Sequence, residues 1–417
     1  MLGEYHAGIG LGGPAWIRVD GNVDFNWWED APHPSISPDS FSVRWTGVLV
    51  PPFTGIYDLG ARVFGQFRLW LEDTLLTEYS DRHAVFTQTV PVQLRAGRPY
   101  RIRLEFHDRR SDALVQLVWS VPNDRLREEA IECAKNADVA VVVLGLTPRL
   151  EGEEMPVKVE GFAGGDRTSL DLPRQQEELL KAIVATGTPV VLVLMNGSAL
   201  AINWASENVP AIVEAWYPGQ AAGTAVADVL FGDVNPSGRL PVTAYRSVAQ
   251  LPPFSDYAMK GRTYRYFSGE PLYPFGYGLS YTRFRYSDLR LPANVETGHD
   301  IVVSAAVENA GSMQGEEVAQ LYVTLEGASA PVPIRSLQGF QRVALSPGES
   351  ARVTFTLTPR QISLIDDAGV RIQLAGSVRI SIGGEQPGMV GRQDAPTTET
   401  VTATMTVTGR QFVIKER

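Results

Sequence analysis

The stretch GLTPRLEGEEMPVKVEGFAGGDRTSLDLPRQQEELL, Gly145 to Leu180, decides how this chain is read. It leaves the end of an apolar run, DVAVVVLGL, passes through a long polar loop and enters a helical pattern, LPRQQEELLKAIVATG, with Gly187 as the stop. A second apolar run, TPVVLVLMNG, follows, then PAIVEAWYPG and a helical QAAGTAVADVLFG. Strands written as near-continuous apolar runs and separated by helices predict a mostly parallel sheet buried on both faces. Three carboxylates, Glu151, Glu153 and Glu154, cluster in the loop. The carboxyl end of a parallel strand is where open α/β sheets bind ligands. Clustered like charges raise one another's pKa, as a general acid near neutral pH requires.

Outward from this segment the hydrophobic period changes twice. Residues 1 to about 121 alternate with a period of two in FSVRWTGVLV, GIYDLGARV, QFRLWLED, AVFTQTVPVQL, YRIRLEFHD and ALVQLVWSV, the spacing of a β-sandwich. At Pro122-Asn123-Asp124 the pattern turns helical, with Asn123 or Asp124 as the cap of LREEAIECAKNA. From about Phe284 the period of two returns in DIVVSAAVENAG, EEVAQLYVTLE, ARVTFTLTP and GSVRISIGG, which predicts a small immunoglobulin-like sandwich. The expected domains are 1–121, an α/β layer sandwich over 122–260, a Pro-, Tyr- and Gly-rich connector over 261–283, and 284–417.

The 417 residues carry a net charge of −10, which argues against nucleic acid or an anionic membrane surface as partner. No apolar run approaches the roughly 20 residues that span a bilayer. The start, MLGEYHAGIGLGG, has neither a basic region nor an apolar core, so it does not read as a signal peptide. A periplasmic or extracellular location is expected only if a leader lies on a preceding part, and a cytoplasmic one otherwise. The single cysteine, Cys133, excludes internal disulfides and is expected on the buried face of its helix. Five scattered histidines offer no metal-ligand spacing, so no metal and no cofactor is implied. Gly8 to Gly13 fits G-x-G-x-x-G formally, but no strand precedes it and Pro14 follows. Asp20, Asn22 and Asp24 have a calcium-like spacing, but Phe25 stands where that loop needs glycine.

Four further strings carry a resemblance. AWYPGQAAGTAVADVLFGDVNPSGRLPVT, Ala215 to Thr243, and GRTYRYFSGEPLYPFGYGLSYTRF, Gly261 to Phe284, resemble the second domain of glycoside hydrolase family 3 and its junction into a fibronectin-type-III-like domain. SLQGFQRVALSPGES, Ser336 to Ser350, resembles that last domain. Phe41 to Leu76 resembles the protective-antigen-type β-sandwich that some members carry inside the second domain. Sugar-binding relatives of that sandwich hold calcium with adjacent aspartates, and this region has no Asp-Asp pair, so a calcium lectin is not expected.

The resemblance implies a retaining exo-acting β-glycosidase that removes terminal β-D-glucosyl residues, with β-xyloside the alternative substrate. In that family an aspartate of a (β/α)₈-type barrel is the nucleophile and a glutamate of the second domain is the acid/base. No barrel matches here, and Ser255-Asp256-Tyr257, the nearest string to the nucleophile's context, lies in the connector. The chain is therefore expected to be the C-terminal half of such an enzyme, inactive alone. Its expected partners are a β-linked oligosaccharide or glucoside, and a second chain carrying the barrel or further copies of itself. The other reading is a non-catalytic carbohydrate-binding or scaffold fragment. Counting from the strand end at Leu146 places the acid/base at Glu153, with Glu151 and Glu154 fitting if the loop register differs. Asp166-Arg167 resembles the family's Asp-Arg pair and is expected to anchor the loop as an ion pair. Trp216 is a sugar-stacking candidate, although core burial is the commoner fate of a strand-end tryptophan.

Overall fold

Alternation in the first part of the chain does what a period of two must do: one face of each strand becomes core and the other meets solvent. The computed structural model, which describes residues 1–28, 30–80, 85–109, 112–155, 157, 159–328, 331–388 and 397–415, shows two stacked sheets here. The larger has six antiparallel strands, with Phe41–Leu49 and Tyr100–Asp108 at its centre and Thr74–Tyr79 at one edge. The smaller has four, Asp24–Trp28, Gly55–Phe64, Phe86–Leu94 and Ala113–Trp119. Between them Trp45, Phe41, Phe67, Phe106, Tyr57 and Leu104 are almost wholly buried. Asp20 is buried among them, accepting from Tyr5 Oη at 2.5 Å, Trp45 Nε1 at 2.7 Å and Arg18 Nε at 2.5 Å. Its carboxylate is a structural hub, and Asp24 is engaged separately by Gln116 Nε2 at 2.6 Å.

The chain divides into two compact units, Met1–Glu132 and Cys133–Arg417. Helix α1 (Asn123–Lys135) runs across the division, and the side chains of Asn123 and Asp124, the expected caps, lie outside the described residues. The helix buries Ala134, whereas Cys133 is exposed. This corrects the expectation for Cys133. One residue along a helix is a rotation of about 100°, enough to carry a side chain from the packed face to solvent.

The second unit holds two cores. The first surrounds a parallel sheet of three strands, with Val190–Met195 between Ala140–Gly145 and Ala211–Glu214. Helix α2 (Arg174–Val184) lays Leu180 and Ile183 on Val142, Leu192 and Leu194. Gly187 follows it with φ +84°, the left-handed stop the sequence predicts. Helices α3 (Asn203–Asn208) and α4 (Ala222–Phe231) complete this part. One edge of this sheet is uncovered, as strands apolar on both faces but lacking their preceding βα units would leave it: Val139, Val141 and Val143 are 51, 51 and 53% exposed.

The second core is a sandwich of a three-stranded and a five-stranded sheet, packed on Phe284, Val303, Leu321, Ile380 and Val407. The connector is ordered against it. Tyr264 stacks on Phe275 at 4.1 Å and its hydroxyl accepts from Leu337 N at 3.1 Å. The Asp256 carboxylate closes a turn, accepting from Ala258 N at 2.9 Å.

Candidate active site at the carboxyl ends of the parallel strands

The loop after the first parallel strand is positioned by glycines that no other residue replaces. Gly145 has φ +146°, and a Cβ there would lie 1.9 Å from Met195 O. Its N–H donates to Gln176 Oε1 at 2.8 Å and its carbonyl accepts from Gln176 Nε2 at 2.9 Å, which ties the loop's start to α2. The chain then makes a long excursion and returns. Gly152 N donates to Gly165 O at 3.2 Å and Met155 N to Gly164 O at 2.8 Å. Gly165 has φ +93°, and a Cβ there would stand 1.8 Å from Gly152 O. The two glycines therefore let Glu151-Gly152 and Gly165-Asp166-Arg167 close on one another across the intervening residues.

This closure separates the three glutamates. Glu151 is half-buried, and its Oε1 accepts from Ser198 Oγ at 2.6 Å. Ser198 Oγ in turn accepts from Arg167 Nη1 at 2.8 Å. Glu151 Oε2 is shielded from solvent and has no partner. Glu153 and Glu154 are exposed, and Glu154 sits at φ +46° in the turn.

Arg167 anchors the loop, but not through Asp166. It donates to Ser169 O at 3.1 Å and Ala199 O at 2.8 Å as well as to Ser198. Burial pushes its pKa down, and the charges of Glu151 and Asp171 push it back up. Asp166 is exposed, and among the described residues no ion pair joins it to Arg167. The expected pair is thus corrected. Asp166 and Arg167 are successive residues of a two-residue strand, so their side chains leave on opposite faces.

The neighbouring strand ends supply groups that the sequence reading passed over. Asn196 is fully buried and donates to Ser198 O at 3.0 Å. Glu214 ends the third strand, and its Oε1 accepts from Trp216 N at 3.1 Å. Burial pushes the Glu214 carboxyl up to about 7, against the lowering effect of its hydrogen bonds with Trp216 and Asn196. Trp216 sits half-buried with φ +53°, a strained conformation for tryptophan that this bond helps hold. Tyr217 is held above its ordinary pKa, first by burial and then by the negative charge of Glu151. The one signal for Glu214 in the sequence is a lone carboxylate closing an apolar strand, AIVE. Nothing local marks Ser198.

A family model for the glycosyl hydrolase family 3 C-terminal domain matches residues 37–281, more than half of the chain. The chain belongs to glycoside hydrolase family 3. A fibronectin type III-like domain model matches residues 317–386. Among family 3 relatives, a xylan 1,4-beta-xylosidase of Xylanibacter ruminicola is 39% identical over 80% of this chain and 38% of its own length. A probable beta-glucosidase J of Neosartorya fischeri is 32% identical over 79% of this chain and 42% of its own length. The crystal structure of a beta-glucosidase from Kluyveromyces marxianus in complex with glucose aligns with 99% of this chain and 50% of that chain, at a TM-score of 0.76 and 25% identity. The family 3 chain described here thus spans about half the length of these proteins or less.

Proposed function

We propose that this chain supplies the general acid/base of a retaining β-glycosidase, and that Glu151 is the residue. The observation that carries this reading is the hydrogen-bonded line Arg167–Ser198–Glu151, which fixes one carboxyl oxygen and leaves the other without a partner. A proton-transferring carboxyl needs one defined position. Exposed Glu153 and Glu154 have no comparable support.

The chemistry follows in two steps. A carboxylate from a barrel domain outside this sequence attacks the anomeric carbon. Glu151 gives its proton to the departing glycosidic oxygen, and a glycosyl–enzyme ester remains. Glu151, now a carboxylate, takes a proton from water as that water attacks the same carbon, and the nucleophile leaves. Retention by this route needs the two carboxyl groups about 5–5.5 Å apart. Arg167 and Ser198 hold the side chain. Glu214 and Asn196 hold the strand ends on which it rests.

A terminal β-D-glucosyl group is the proposed substrate, with β-D-xylosyl second. Relatives named for both activities match this chain. The test is reconstitution with a barrel-bearing family 3 chain and aryl β-glucoside or β-xyloside. Release of the β-anomer, followed by proton NMR before mutarotation, supports the reading. A reconstituted enzyme that is equally active after Glu151→Gln would overturn it.

A further inference from the structure

We infer that Tyr217 is a further positioning residue: it clamps the turn that carries Ser198, and so keeps Ser198 Oγ on Glu151. The inference rests on the reading of Glu151 as the acid/base.

The turn Asn196-Gly197-Ser198-Ala199 leaves the central parallel strand. It has to hold one hydroxyl on a glutamate 47 positions away. Three of its residues are tied by bonds already described. Asn196 Nδ2 donates to Ser198 O, and Arg167 Nη1 donates to Ser198 Oγ and Ala199 O. Gly197 lies between them, and the Tyr217 ring lies directly on it. A Cβ at Gly197 would stand 2.5 Å from Tyr217 Cε2 and 3.1 Å from Cδ2. The Gly197 N–H donates toward Tyr217 Oη, which lowers the phenol's pKa against the rise caused by burial and by the Glu151 charge. Ring and hydroxyl thus grip one residue at two points.

Tyr217 reaches this turn because the chain before it is bent. An extended residue 216 would carry the chain onward along the third strand. Instead Trp216 takes φ +53°, with its N–H held by Glu214 Oε1 at 3.1 Å. Backbone strain of this kind persists where the surroundings fix it, and it gathers at functional sites. Core packing is a poor account of Tyr217, which is 45% exposed. The charges of Glu151 and Arg167 both act on it, which places it beside the candidate acid.

Hydrogen exchange at the Gly197 amide tests the clamp in this chain without a partner. Tyr217→Phe keeps the ring and removes the acceptor. It should speed that exchange by about tenfold, the worth of one hydrogen bond, with the unfolding midpoint unchanged. In the reconstituted enzyme Tyr217→Phe should lower kcat on an alkyl glucoside by about threefold to tenfold, and Tyr217→Ala by more, with KM little changed. The first step on a dinitrophenyl glucoside should be spared, because only a leaving group that needs a proton feels where Glu151 stands. Gly197→Ala, which drives a Cβ into the ring, should reproduce Tyr217→Ala. Gly197 exchange indifferent to Tyr217→Phe would overturn the inference. So would an equal loss on both substrates, which is damage to the fold, or a loss confined to KM, which is contact with the substrate. A silent Glu151→Gln beside a loosened Gly197 would count against the role of Glu151 and not against the clamp.

Discussion

Ser198 Oγ donates to Glu151 Oε1 at 2.6 Å while accepting from Arg167 Nη1 at 2.8 Å. One hydroxyl thus joins the loop after the first parallel strand to the return of that loop and to the end of the central strand. In the reconstituted enzyme, Glu151→Gln should lower kcat on an alkyl glucoside by about 10²–10⁴-fold, the usual worth of general acid–base assistance. Dinitrophenyl glucosides, whose leaving group needs no proton, should lose least in their first step, and azide should restore part of the rate. Parallel assays of Glu153→Gln and Glu154→Gln should show small effects. A crippling Glu153→Gln beside a silent Glu151→Gln would move the role to Glu153.

Removing the bridge should misplace the acid without deleting it. Ser198→Ala is expected to cost about tenfold in kcat with little change in KM, since a small displacement of a catalytic group is felt mainly in the transition state. Arg167→Ala removes bonds to Ser169 O, Ser198 Oγ and Ala199 O together and should also destabilise the fold, by about 2 kcal/mol. Chemical denaturation separates the two effects.

Glu214 should make stability depend on pH. Its carboxyl titrates near 7 in the folded chain against an ordinary 4.5. Below about pH 4.5 it is protonated folded or unfolded, and the folded state keeps its full stability. As pH rises toward 7 the unfolded chain ionises first, so stability falls, by at most on the order of 3 kcal/mol. Glu214→Gln should flatten that segment of the profile. A wild-type unfolding free energy that rises between these pH values through this residue would contradict the assignment.

Glu317, fully buried, accepts from Arg239 Nη2 at 2.6 Å, Thr398 Oγ1 at 2.7 Å and Tyr286 Oη at 3.0 Å. Removing one partner strands a buried charge, so Glu317→Ala should cost about 3–5 kcal/mol. The paired change Arg239→Met with Glu317→Leu should recover much of that loss. Equal destabilisation by the single and the double variant would show that the network is not coupled.

Val139, Val141 and Val143 leave an apolar stripe on an edge strand in solvent. Such an edge invites pairing. Light scattering after size exclusion should show association of this chain, with itself or with a barrel-bearing partner, and Val141→Thr with Val143→Thr should reduce it. A monomer at every concentration, partner present or absent, would be the contrary result.

Much of this protein is written in local patterns. Alternation in Phe41–Leu49 and Ile301–Asn309 and the apolar runs at Ala140–Gly145 and Val190–Met195 are consequences of which faces are buried, and periodicity reports those directly. The carboxylate cluster at 151–154 was visible as a cluster, but its reading as a site, and the anchoring expected of Asp166-Arg167, came from the family resemblance and not from any local pattern. What only the tertiary structure decided is which carboxylate is held. Counting along the loop cannot see that Gly165 returns to Gly152, nor that Ser198, 47 positions from Glu151, reaches it with a hydrogen bond. The same holds for Asp166, turned away from Arg167 by the strand pleat, and for Cys133, turned to solvent beside buried Ala134. Hydrophobic period depends on neighbours a few residues away. The position of a loop side chain depends on where the chain comes back to, and that is set by packing of the whole unit.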